Sequence, residues 1–324
     1  MNPARLFLAL AAATALAAPA APAAAQSNEQ VTVAQAFQSV QYLPLYVGID
    51  KGFFKKHGLD VTKTTAGSGA NGVASVIQGS ATFSLQDPMT AVLANLKGAK
   101  LKSVGSVVNG IPVWLVVKND SPIKTVADLS GKTIATAVAP STSTYLLRDV
   151  LARQHVKATE EDVLLGTEIA PLLAGKVDAA AVYEPYVEQA IAQGCRVLYK
   201  FSRYVPGGYA FSSIDVNETT LAQKPAVVKA FVAGLDDAIH YMNTDKNGAA
   251  DVAVSEFPQM SPEVVRSAVK RLFDENVYPK NALITEKAFA NALALQVGIG
   301  NIKPNAVAYR DAIDPGYAPQ PGKK

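Results

Sequence analysis

Polar side chains collect at four places where an apolar, strand-like run gives way to a helix-like one. These are residues 38–43 (QSVQYL), 67–71 (GSGAN), 86–89 (QDPM) and 141–144 (STST). They supply Gln38, Gln41 and Tyr42, then Ser68 and Asn71, then Asp87, and last Ser141, Thr142, Ser143 and Thr144. A helix start carries free backbone N–H groups and the positive end of the helix dipole, and small hydroxyl residues let a molecule approach them. That is the chemistry of holding a small polar molecule, not of breaking bonds in it. Capping alone accounts for any one of these loops. All four lie at the carboxyl ends of predicted strands, where open α/β sheets bind ligands, and the set favours contact. The row of four hydroxyls at 141–144 exceeds what one cap requires, and Tyr145 beside it is placed to shield the site.

Two acids share a local device. Asp87-Pro88 and Glu184-Pro185 each follow a strand and open a helix, as a cap with proline in the first turn would. Each is either a structural cap or an acceptor for a donor on a ligand, and the sequence leaves both open. No Lys or Arg lies in the four loops. Arg148, one turn into the helix that begins with the hydroxyl row, is of a kind more often solvated or paired with a carboxylate. Trp114 and Tyr209 fall on two runs that read as passages between lobes, as packing residues or as the floor of a cleft.

Hydrolytic and metal chemistry find little support. His57, His155 and His240 are far apart, and no GxSxG elbow, HExxH or P-loop occurs. The single cysteine, Cys195, excludes an internal disulfide and any multi-cysteine metal site, and reads as a small buried residue at a strand start. A formal net charge of +3 over 324 residues argues against nucleic acid as the partner.

The elements that must carry these residues alternate. VTVAQAF, LDVTKTTA, ATFSLQ and LKSVGSVV read as strands, and PLYVGIDKGFFKK, NGVASVIQG and PMTAVLANLKG as helices closed by glycine. The pattern recurs with TIATAVA, STYLLRDVLARQ, DVLLG, APLLAG, AAAVY, PYVEQAIAQG and CRVLYKF. From Asn217 onward the chain reads as helices only. Such alternation predicts mainly parallel sheets covered by helices. Asn109-Gly110-Ile111-Pro112 and Val205-Pro206-Gly207-Gly208 bracket a middle block. The expected organisation is therefore an α/β fold of two lobes. Residues 26–112 begin the first lobe, 113–117 cross, 118–205 form the second lobe, and 206–324 return as a crossing strand and a helical tail on the first.

Residues 1–25 read as a cleaved secretory signal peptide, with Arg5, an apolar LFLALAAATALAA and Ala23-Ala24-Ala25. No further segment is long and apolar enough to span a membrane.

The run "YLPLYVGIDKGFFKKHGLDV" resembles the opening signature of periplasmic substrate-binding proteins of ABC importers, in the nitrate/sulfonate/taurine-type family, whose relatives include binders of thiamin pyrimidine precursors. "TVADLSGKTIAT", "STSTYLLRDVL" and "KVDAAAVYEPY" are similar to later parts of the same pattern, in the same order. The resemblance implies a type II periplasmic binding protein fold, with two crossing strands as a hinge. It implies a periplasmic monomer that captures a sulfonate, carboxylate or pyrimidine-like solute between its lobes and presents it to an inner-membrane permease. Catalysis, metal and cofactor are not expected, and no nucleic acid or membrane insertion after signal cleavage. It carries ligand contact onto the strand-end positions above, with Glu184 and Asp87 available to an amine, an amino-pyrimidine or a protonated ring nitrogen. A binding module of a sensory system remains an alternative. A pyrimidine-synthesising enzyme is a weaker one, because those relatives need a cysteine-rich motif.

Overall fold

The computed structural model describes residues 28–201 and 205–319; the signal-peptide reading of residues 1–25 lies outside them. The first sheet holds β1 (Glu29–Gln35), β2 (Leu59–Thr65), β3 (Phe83–Gln86) and β4 (Leu101–Val108), joined late in the chain by β10 (Ser212–Asn217). The second holds β5 (Trp114–Lys118), β6 (Thr133–Ala137), β7 (Thr159–Val163), β8 (Ala179–Val182) and β9 (Cys195–Lys200). Their orders are β2-β1-β3-β10-β4 and β7-β6-β8-β5-β9. In the first sheet β1, β2 and β3 run parallel, in the second β6, β7 and β8 do, and in each the strand that enters from the other lobe (β10 in the first, β5 in the second) inserts antiparallel. The fold is the expected two-lobed α/β arrangement with a helical C-terminal region.

Strand chemistry follows burial. Central β3, β5 and β8 are buried residue after residue (FSLQ, WLVVK, AAAV), as strands covered on both faces must be. Edge strand β7 (TEEDV) is largely exposed, and its acids keep that edge from pairing with another chain. Here the sequence reading differs: DVLLG suggests the strand at 162–166, yet the strand is Thr159–Val163 and Leu164–Gly166 form a loop. The apolar pair Leu164-Leu165 misleads because it serves the rim of a cleft and not a sheet.

The predicted helix over PLYVGIDKGFFKK breaks at Gly52 (φ 71°) into Leu43–Asp50 and Phe53–Lys56, and Gly58 (φ 77°) ends the second piece before β2. The break lets Phe54 turn inward. A Cβ on Gly48 or Gly234 would stand 2.4 or 2.7 Å from the Phe54 ring, so glycine at both sites admits it. Phe54 then stacks on Phe231 of the long tail helix Pro225–Thr244 at 4.7 Å, and Phe231 meets Phe83 of β3 at 4.3 Å. The tail helix is thereby fixed to the first sheet, each buried ring contributing about 1.5–3 kcal/mol.

The passage between lobes falls earlier than the sequence reading puts it. Residues 113–117 were expected to cross, but Trp114–Lys118 pairs with β8 on one side and β9 on the other and belongs wholly to the second sheet. Residues 109–113 make the passage out. The return lies beside it: Phe201 N–H donates to Val113 C=O at 3.0 Å, and Tyr209 N–H to Asn109 C=O at 3.0 Å. Tyr209 is on this return but outside any strand. Among the described residues no helix is long and apolar enough to cross a membrane.

Candidate functional site

A cleft of about 300 Å³ opens between the lobes, lined from both sides. The first lobe contributes Phe37, Gln41, Tyr42, Ser68, Asn71, Gln86, Asp87, Phe211 and Ser212, and the second contributes Ser141, Thr142, Tyr183 and the rim residues Val138, Leu164 and Leu165. Most of each lobe's lining comes from the carboxyl ends of its parallel strands, where the free N–H groups of the following helices gather, and Phe211 and Ser212 join it from the start of antiparallel β10.

Three helix starts face the cleft, and each is finished differently. Ser68 caps Gly69–Ile77, accepting from Asn71 N–H at 3.1 Å, while Asn71 donates its own amide to Ala66 C=O at 3.0 Å. Asp87 caps Pro88–Asn95, accepting from Met89 N–H at 2.8 Å, with Pro88 in the first turn. Ser141 stands at the cap position of Thr142–Arg153 without making the side-chain cap bond, and its hydroxyl meets that of Ser143 at 3.0 Å.

Four aromatic rings run across the cleft floor. Phe37 lies 5.6 Å from Tyr42 and 5.1 Å from Tyr183, and Tyr183 lies 6.1 Å from Phe211, all at steep inter-ring angles. Tyr183 comes from the second lobe and the other three from the first, so the rings form an apolar contact across the lobes. Burial pushes the Tyr42 and Tyr183 phenols up, keeping them neutral donors. Among the buried polar atoms, Gln41 Oε1 and Gln86 Oε1 have no hydrogen-bond partner. Both residues line the cleft, and both orphan atoms are acceptors.

Among the described residues, Asp87 is the one charged side chain in the lining. Burial pushes its carboxyl up to about 6, against the pull of the bonds from Thr142 and Met89. The Thr142 hydroxyl donates to it from the opposite lobe. Among the described residues, no lysine or arginine lines the cleft. Arg148 is paired with Glu160 at 2.7 Å, on the outside.

Of the residues singled out in the sequence, Gln41, Tyr42, Ser68, Asn71, Asp87, Ser141 and Thr142 come together in the lining, and six others do not. Gln38 donates its amide to Glu256 C=O at 2.7 Å and ties down a tail helix. Ser143 and Thr144 follow the helical turn away from the cleft. Ser143 N–H donates to the Tyr183 hydroxyl at 3.1 Å, and Thr144 donates to Ala137 C=O and meets Thr136 at 3.0 Å. Trp114 is fully buried in β5, with the Arg271 guanidinium 5.9 Å from its ring. Tyr209 is buried on the return passage. Glu184 does not take the cap position, which belongs to Pro185; its Oε2 accepts from Glu188 N–H at 3.1 Å, and its Oε1 faces Arg271 Nε at 2.8 Å. Burial pushes the Glu184 carboxyl up while the Arg271 guanidinium pulls it back. Phe37, Tyr183 and Phe211 escaped sequence reasoning, which looked for hydroxyls and caps, and Gln86 entered it only as the first residue of the 86–89 loop. The signal available was an aromatic residue at or just past a strand end in each lobe.

The NMT1/THI5-like family model matches residues 39–265. A riboflavin-binding protein of Chloroflexus aurantiacus, RibY, is 29% identical over 270 residues, covering 76% of this chain and 72% of its own. A putative binding protein of Bacillus subtilis, YtlA, is 22% identical, covering 88% of this chain and 87% of its own. Among solved structures, the alkanesulfonate-binding protein SsuA of Xanthomonas axonopodis superposes with a TM-score of 0.73 at 19% identity, over 89% of this chain and 99% of that one. The nitrate-binding protein NrtA of Synechocystis gives 0.69 at 13% identity, over 86% and 83%.

Proposed function

The chain belongs to the NMT1/THI5-like family, and on that premise we propose that it is the solute-capturing component of an ABC import system. It acts in the periplasm and holds an uncharged or cationic, donor-bearing planar organic molecule between its lobes. The observation that carries the charge class is the lining itself: among the described residues it holds one carboxylate, two orphan amide oxygens, five aromatic rings and no cation. An inorganic oxyanion would meet Asp87 with no positive side chain among the described lining residues to offset it. A molecule with N–H donors and a flat apolar body satisfies the amide oxygens and lies against the rings. The relative named for riboflavin binding supports a heterocycle. Closure over the solute presents both lobes to a membrane permease.

A second reading has its own support. The helices beginning at Gly69 and Thr142 point free N–H groups toward the cleft, which suits a sulfonate or nitrate. The fold neighbours named for those ligands agree with it. A thermal-shift panel of riboflavin, an aminopyrimidine, taurine, an alkanesulfonate and nitrate separates the two, because a ligand at about 100 times its Kd adds about 2.7 kcal/mol of stability. The proposal expects the melting point to rise with riboflavin or the aminopyrimidine and to stay put with the oxyanions. A rise with the oxyanions alone overturns it.

A further inference from the structure

Gln86 is the last residue of β3, and its side chain spans two environments. On one side it lines the cleft; on the other its amide Nε2 donates to Asp215 of the neighbouring strand β10. Asp215 is fully buried, and among the described residues no cation is seen to act on it. Its Oδ1 accepts the hydroxyls of Ser213, at 2.7 Å, and of Ser103. Strand pairing makes this cluster: Asp215 lies opposite Ser84 on β3 and Ser103 on β4. A carboxylate so placed accepts only, and the position left open on Oδ2 takes the NH₂ end of the Gln86 amide. The amide oxygen is then the end with no partner.

We infer that Asp215 is a positioning residue for the ligand site: its carboxylate fixes the Gln86 amide with Oε1 available as an acceptor, and protonation of Asp215 lets the amide turn over and offer a donor instead. The protonated acid can donate to an amide oxygen, which the carboxylate cannot do, so the preferred orientation reverses with charge. Burial pushes the Asp215 carboxyl up to about 7, against the serine bonds that lower it, and this places the exchange near neutrality.

The groups facing Asp215 leave it in control. Helices Gly69–Ile77 and Pro88–Asn95, packed on β10, carry no ionisable side chain. Asp87, at the start of the second, is the charged group whose field reaches Asp215, and it too raises the carboxyl. Lys102, the neighbour of Ser103 on β4, projects to the other face, where it meets the carbonyls of Arg310 and Asp311 at 2.8 Å and Glu218 of the following helix at 3.8 Å.

This rests on the cleft being the ligand site, but its test reads the unliganded chain and is independent of which solute binds. The mature protein, labelled with ¹⁵N at glutamine side chains and ¹³C at aspartate carboxyls, is titrated between about pH 5 and 9. The inference expects the Gln86 amide signals to move with the Asp215 carboxyl signal, with one common midpoint, in wild type. In Asp215→Asn the Gln86 signals should lose that transition. Gln86 signals that stay fixed while Asp215 titrates overturn it, as does an Asp215 carboxyl that stays ionised throughout. The wild-type titration decides the matter even where the variant folds poorly.

Discussion

The hydroxyl of Thr142, at the first turn of a second-lobe helix, donates to the carboxylate of Asp87, which caps a first-lobe helix. One carboxylate thus finishes a helix in its own lobe and holds the other lobe against it. Ser39 makes a second bridge of the same sense, its hydroxyl donating to Glu184 C=O at 2.5 Å. The two lobes are therefore bridged once in the cleft lining, by Thr142 and Asp87, and once beside it, by Ser39 and Glu184.

Thr142→Val keeps the side-chain shape and removes the donor. Lobe closure should weaken, and the radius of gyration in small-angle scattering should increase. A bound solute's affinity should fall on the order of tenfold, the scale of one hydrogen bond to a charged group. The helix in the first lobe should persist, because Asp87 still caps it through Met89.

Glu184, fully buried, pairs with the partly exposed Arg271 beside the cleft and not in its lining. Arg271 also reaches Glu188. Arg271→Met leaves two acids without their partner and should cost on the order of 3 kcal/mol of stability in chemical denaturation. Glu184→Gln should lower stability more than it lowers affinity. A large loss of affinity with unchanged stability would place Glu184 in contact with the solute.

Gly208, on the return passage, has φ 82°, and a Cβ there would stand 2.5 Å from the Asn109 side chain on the outgoing passage. Gly208→Ala should strain the left-handed backbone by about 1–2 kcal/mol and displace Asn109. The result should be a lower melting point together with an altered balance of open and closed lobes in scattering.

Stability should fall as pH rises through neutrality. Asp87, at about 6, and Asp215 and Glu168, each at about 7, are all raised by burial above their unfolded values. The folded chain then holds protons that the unfolded chain has released. Their contribution is fully present below about pH 4 and is lost as pH climbs through 6 to 7. Denaturant midpoints measured between about pH 5 and 8 should decline, and Asp215→Asn should make the decline shallower.

The two-lobed fold was legible because strand–helix alternation, glycine stops such as Gly58 and the all-helical end are local signals. The site was legible only in part. Helix caps at Ser68 and Asp87 announce themselves in sequence, and a residue at the cap faces the cleft by construction. Thr144 and Ser143 do not, since a shift of one or two residues around a helix turns a hydroxyl from the cleft to the sheet. Glu184 copies the Asp87-Pro88 pattern, yet Arg271 on a distant helix claims it, and no local feature tells of that partner. Trp114 belongs to a strand buried on both faces, which an apolar run cannot distinguish from a passage.

Calorimetric titration of the protein with riboflavin and, separately, with taurine tests most directly whether the cleft is built for a donor-bearing heterocycle. The account predicts saturable heat with riboflavin that is lost in Asp87→Ala, and none with taurine. Tight binding of taurine, unaffected by that substitution and with riboflavin inert, would contradict it.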